Sequence, residues 1–187
     1  MSDFKILAIS GSLRKGSFNT AALRVAQEVA PAGVTVEIAD ISDLPMYNDD
    51  IRAAAYPDST KRLRAQIAAA DAVLFATPEY NYAVSAPLKN AFDWVSRPPD
   101  QPLMNKAVGI MSASGGPLGG VRAQYALRHM LVSTNSFAVN MPQVVIGSAQ
   151  TKFDENGKFN DQMGRDLIKQ LLESLVKLAR QLRAPIV

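Results

Sequence analysis

The chain contains no cysteine and a single histidine, His129, among its 187 residues. The missing cysteines exclude disulfides, thiol nucleophiles, Cys-ligated zinc and iron–sulfur clusters. One histidine cannot build a multi-His site, and no metal is expected. Long apolar runs are missing too. None approaches the ~20 residues that a membrane span needs, and the N-terminus carries no basic-plus-apolar leader pattern. The charge excess is small, with 20 Lys+Arg against 17 Asp+Glu. The densest basic cluster, Lys61-Arg62-Leu63-Arg64, falls on an expected helix and reads as a solvated face. With no basic stripe or base-stacking motif, neither nucleic acid nor membrane is an expected partner, and a cytoplasmic location is expected. Chemistry in this chain must rest on few protein groups or on a borrowed cofactor.

What is present is ordinary globular material. A hydrophobic share of 48% with 11 Gly and 11 Pro excludes disordered and collagenous classes. The length suits one domain over residues 1–187, large enough to bury its own core. Apolar runs at 4–10, 35–40, 72–77 and 107–112 have the length and β-branched content of buried strands. A fifth strand region covers 137–140 and 144–146, interrupted around Pro142. Helical periodicity marks 19–30, 59–70, 88–96 and 121–133, with Ser85 as cap and Pro87 in the first turn of the third of these. A last helix spans about 161–183, where Leu167, Ile168, Leu171, Leu172, Leu175, Val176, Ala179 and Leu182 form one stripe. Asn156-Gly157 between Phe153 and Phe159 signals a small hairpin. Strands alternating with helices imply βαβ units, hence one doubly wound α/β domain with a parallel sheet and helices on both faces.

In such folds a ligand lies beyond the carboxyl ends of the strands, where strand order reverses. For the order 2-1-3-4-5, strands one, three and four meet there, and the loops after them are unusual. The first runs from Gly11 to Thr20 and offers two glycines, the hydroxyls of Ser12, Ser17 and Thr20, Asn19, and Arg14 as a phosphate partner. It is not a Walker loop, because Ser17-Phe18 stands where Lys-[Ser/Thr] is required, and the G-x-G-x-x-G dinucleotide fingerprint is absent. The second, Thr77 to Ser85, carries Tyr80 and Tyr82 as flat surfaces and Asn81 as an edge partner. Tyr82 suits a dimer contact equally well. The third, Ser112 to Gly120, has four glycines that allow backbone to approach a planar ligand. Phosphate at the first loop and a ring between the other two describe a mononucleotide.

The stretch Gly11-Ser12-Leu13-Arg14-Lys15-Gly16-Ser17-Phe18-Asn19, the segment Pro78-Glu79-Tyr80-Asn81-Tyr82 with Leu88-Lys89-Asn90-Ala91-Phe92-Asp93-Trp94, and Gly119-Gly120-Val121-Arg122-Ala123-Gln124-Tyr125 together resemble the NAD(P)H-dependent FMN reductases. More narrowly, they resemble the bacterial chromate and quinone reductase branch. The resemblance spans roughly residues 4–150. It implies a flavodoxin-like fold, a five-stranded parallel sheet in the order 2-1-3-4-5, and a tightly bound FMN. It also implies phosphate contacts from Ser12, Arg14, Ser17, Asn19 and Thr20, with Phe18 shaping the loop. The ring would be framed by Pro78, Glu79, Tyr80, Asn81 and the Ser114-Gly115-Gly116 backbone. One departure stands out: the family commonly has Ser-[Ile/Val]-Pro-Gly after the Tyr-Asn element, and this chain has Ala83-Val84-Ser85-Ala86-Pro87.

With no thiol and one histidine, the hydride chemistry belongs to the flavin and no side chain is expected to be catalytic. NADPH or NADH is the expected donor; a quinone, free flavin or an oxyanion such as chromate is the expected acceptor. Arg14, Lys15 and Arg97 are candidates for attracting anionic substrates, with Arg97 beside Pro98-Pro99 reading equally as a surface charge. His129 points sideways on its helix, towards solvent or a subunit interface. Phe92, Trp94 and Val95 either bury against the sheet or form a dimer face, and a homodimer or homotetramer is expected. The alternative class is a flavodoxin-type single-electron carrier, against which the basic excess argues. A regulatory ligand-binding protein without turnover is the third.

Overall fold

A computed structural model describes residues 4–183. Strands β1 (Phe4–Ser10), β2 (Val34–Ala39), β3 (Ala72–Thr77) and β6 (Ala107–Ala113) form one parallel sheet in the order β2-β1-β3-β6. The fifth position is shared by β7 (Phe137–Ala138) and β8 (Val144–Ile146), which pair one after the other along β6. The break between them contains the cis Met141–Pro142 bond. The expected order and the interruption at Pro142 are both present.

Every residue of β3 and β6 is buried, because helices cover both faces of the sheet. Side-chain alternation divides the core in two. On one face Ile6, Ala8, Leu74 and Met111 meet helix α1 (Phe18–Glu28) and the long helix α6 (Gln162–Arg183). On the other, Leu7, Ile9, Phe75 and Ile110 meet α3 (Asp58–Ala69), α4 (Ala86–Val95) and α5 (Val121–Leu131). The leucine stripe of α6 faces the sheet: Ile168, Leu171, Leu172 and Leu175 are all buried. Among the described residues, no helix is long and apolar enough to cross a membrane.

Phe92, Trp94 and Val95 are buried within the chain, so they do not form an open dimer face. The Trp94 indole N–H donates to the Pro45 carbonyl at 2.7 Å, which ties the loop after β2 to α4. Ser85 does precede α4, but its hydroxyl makes no capping bond. It donates instead to the carbonyl of Gly11, since both groups are buried and Pro87 removes one of the amides a cap would serve.

A short helix and a hairpin in the second loop lie outside the sequence expectations. Helix α2 (Asp49–Ala54) replaces part of an expected loop. It has no buried residue, hence no apolar periodicity to read, and is started by the Asn48 side-chain oxygen Oδ1 accepting from the Asp50 amide at 2.8 Å. The second loop folds into a hairpin of β4 (Glu79–Tyr80) and β5 (Ala83–Val84). At 153–159 the expected small hairpin is present as a bridge between Phe153 and Phe159, with Gly157 at φ 78°.

Candidate active site

The sheet order brings the carboxyl ends of β1, β3 and β6 together, and a cleft of about 370 Å³ opens above them. Its two ends differ in chemistry.

One end is the start of α1. Ser17 caps this helix by accepting the Thr20 amide at 3.2 Å, which leaves its own hydroxyl proton to donate. The amides of Phe18 and Asn19 have no intrahelical acceptor, since the first turn of a helix leaves its donors unpaired. Ser12 and Arg14 complete this end, and a guanidinium N–H of Arg14 donates to the Gly16 carbonyl at 3.0 Å, folding the side chain along the loop. Amides, hydroxyls and a guanidinium converging at a helix N-terminus form an anion-binding environment. Phe18 forms the wall behind them and stacks on Phe153 with ring centroids 5.4 Å apart.

The other end is built from Pro78, Glu79 and Tyr80 on one side and Ala113, Ser114 and Gly115 on the other. Asn19 joins the two ends. Its amide donates to the Ala113 carbonyl and its side-chain oxygen accepts the Ala113 amide, both at 2.9 Å and both buried. The side chain of Asn19 is therefore committed to the protein, and only its backbone amide remains for a ligand.

Ten of the expected residues thus share the cleft: Ser12, Arg14, Ser17, Phe18, Asn19, Pro78, Glu79, Tyr80, Ser114 and Gly115. Five others do not line it. Thr20 turns its hydroxyl to that of Ser10, 2.8 Å away, beside the end of β2. Gly116 builds its own loop, its amide meeting the Ser114 hydroxyl and its carbonyl accepting from Ser148. Asn81 and Tyr82 are the hairpin turn, at φ 50° and 67°. Arg97 lies two residues beyond the end of α4 and outside the cleft lining. There it pairs with Asp93 at 3.5 Å and lies over the Tyr47 ring. His129 is exposed on α5 and lies beside Arg97, away from the cleft.

Arg122, in the first turn of α5, had no expected role. Its guanidinium Nε and its backbone amide both bond the Glu79 carboxylate, so the one acidic side chain lining the cleft is paired. The sequence signal was an acid on one ligand loop and a base just after the glycines of another. Gly120 allows that approach: it precedes α5 at φ 86°, and a Cβ there would lie 3.0 Å from the Ser112 Cβ.

A family described as NADPH-dependent FMN reductase matches residues 4–151. An NAD(P)H-dependent FMN reductase of Pseudomonas aeruginosa is 51% identical over 181 residues, covering 97% of this chain and 98% of its own. A quinone reductase of Escherichia coli is 43% identical over 161 residues, covering 84% and 86%. Among solved structures, the flavoenzyme NAD(P)H:(acceptor) oxidoreductase FerB from Paracoccus denitrificans superimposes with a TM-score of 0.85 at 31% identity, over 95% of this chain and 98% of that one. With its sheet order, its paired loops and a match covering most of its length, this chain belongs to the NADPH-dependent FMN reductase family.

Proposed function

We propose that residues 1–187 form a single FMN-binding domain that oxidises NAD(P)H and reduces quinones or free flavin, with chromate as a further acceptor. The observation that carries this reading is the polarity of the cleft: an anion-binding helix start at one end, a slot rimmed by backbone at the other. FMN, when bound, supplies hydride acceptance and electron donation. The protein's part is to bind and orient. Ser12, Arg14, Ser17 and the Phe18 and Asn19 amides hold the phosphate, and Pro78, Tyr80, Ser114 and Gly115 frame the ring. Arg14 and Lys15 give the mouth a positive charge that favours an anionic nicotinamide donor.

The reading extends to a homodimer or homotetramer, supported by Val132 and Met141 standing 76% and 71% exposed on the side of α5 and β7. Light scattering tests that, and cell fractionation tests cytoplasmic residence. The decisive experiment is steady-state turnover of FMN-loaded protein with NADPH and with NADH against a panel of quinones, free flavin and chromate. Turnover without a second protein is expected. Protein that binds FMN but needs a separate reductase would instead be an electron carrier, and protein that binds no FMN would refute the reading.

A further inference from the structure

Glu79 presents a problem at the ring end of the cleft. Its side chain is only 9% exposed, and a bare carboxylate there would set a negative charge against a ring that gains electrons on reduction. The fold answers with Arg122. One carboxylate oxygen accepts from the guanidinium Nε, and the other accepts from the Arg122 backbone amide at 3.0 Å. The second bond lies in the first turn of α5, where a carboxylate from another element meets unpaired helix donors. The same guanidinium lies 3.8 Å from the centroid of the Tyr82 ring. Tyr82 and Asn81 are both left-handed, the geometry of a type I′ hairpin in which glycine is preferred at the position Tyr82 occupies. Arg122 therefore grips the hairpin at its base and at its turn.

We propose that Glu79 and Arg122 form a charge-neutralising clasp that fixes the β4–β5 hairpin against the start of α5 and sets the electrostatic environment of the bound flavin. The inference rests on the cleft being the FMN site. Arg122 acts here as a positioning residue. An exposed ion pair contributes little, but the Glu79 carboxylate is withdrawn from water and tied to backbone while the Arg122 side chain keeps 39% of its surface exposed, so removing Arg122 is the more costly of the two changes. The two removals leave opposite charges. Arg122→Ala exposes a carboxylate to the flavin, whereas Glu79→Gln, nearly isosteric, exposes a guanidinium.

The test is the midpoint potential of FMN in the holoprotein, with FMN affinity measured in parallel by fluorescence titration. Arg122→Ala is expected to shift the potential negative and to weaken FMN binding about tenfold. Glu79→Gln is expected to shift it positive. Arg122→Lys, which keeps the charge, should restore most of the wild-type potential, and the double variant Glu79→Gln/Arg122→Ala should return close to it. Shifts of the same sign in the two single variants, or no shift in either, overturn the clasp while leaving the flavin reading intact. Wild-type protein that binds no FMN overturns both. Should Arg122→Ala fail to fold, Glu79→Gln and Arg122→Lys still decide the question: a wild-type potential in Glu79→Gln refutes the proposal.

Discussion

Replacing Asn19 by alanine removes a side chain that joins the first and third ligand loops by two buried hydrogen bonds. The Ala113 amide and carbonyl would each lose a partner at 2.9 Å, one residue beyond the last register pair with β3, Thr77 with Ser112. An orphaned buried polar group costs about 1–3 kcal/mol, so two of them cost about 2–6 kcal/mol, nearer the lower end where cleft water reaches Ala113. For a chain of this size each kcal/mol moves the melting temperature by about 2–4 °C. Asn19→Ala should therefore melt about 5–15 °C below wild type, followed by circular dichroism without FMN. Asn19→Asp keeps an acceptor for the Ala113 amide but sets a carboxylate against the Ala113 carbonyl, and should fare no better. A variant melting within about 2 °C of wild type would refute the argument, because at that level the tie contributes less than one ordinary hydrogen bond.

Three further outcomes follow from the same geometry. Arg14→Ala should weaken FMN binding about tenfold in a fluorescence titration while leaving the melting temperature almost unchanged, since among the described residues its side chain bonds just the neighbouring Gly16 carbonyl. Gly11→Ala should destabilise by about 1–3 kcal/mol in urea, because its Cβ would sit 2.8 Å from the Ser85 hydroxyl and 3.1 Å from Pro78, pressing on the second ligand loop. Asp161 accepts the Gly164 amide at 3.1 Å at the start of α6, and the Lys152 ammonium together with that amide holds its carboxyl below the ordinary range. A lowered folded-state pKa stabilises above the unfolded value, about pH 4, and that contribution is lost as pH falls through the folded one. Asp161→Asn keeps a cap but loses the Lys152 pair, so it should cost about 0.5 kcal/mol at pH 7, and the gap from wild type should close below about pH 4 in urea titrations.

The architecture was legible because its elements announce themselves. β3 and β6 are continuous apolar runs, α6 carries an unbroken stripe, and Pro142 marks the break in the edge strand. Helix α2 was not legible, since a helix that buries nothing has no period to detect. The glycine-free Asn81-Tyr82 turn hid the hairpin, because a tyrosine in the left-handed region is held by its stacking on Arg122 and not by local preference. Within the cleft, sequence marked which loops meet but not how individual side chains divide the work. Thr20 lies one helical position beyond the amides that face the cleft and bonds Ser10; Asn19 and Glu79 are taken up by Ala113 and Arg122. Such partners lie 43 and 94 residues away, beyond the reach of local pattern. The cleft lining offers hydroxyls, backbone groups and one paired carboxylate, while His129 lies elsewhere on α5.

A comparison of FMN with riboflavin binding measures the phosphate end of the cleft most directly. The two ligands share a ring and differ by the phosphate that Ser12, Arg14, Ser17 and the α1 amides would hold. Several charge-assisted hydrogen bonds together predict FMN binding at least ~100-fold tighter than riboflavin in fluorescence titration of the apoprotein, with the gap narrowing in Arg14→Ala. Equal affinity for the two flavins would contradict it.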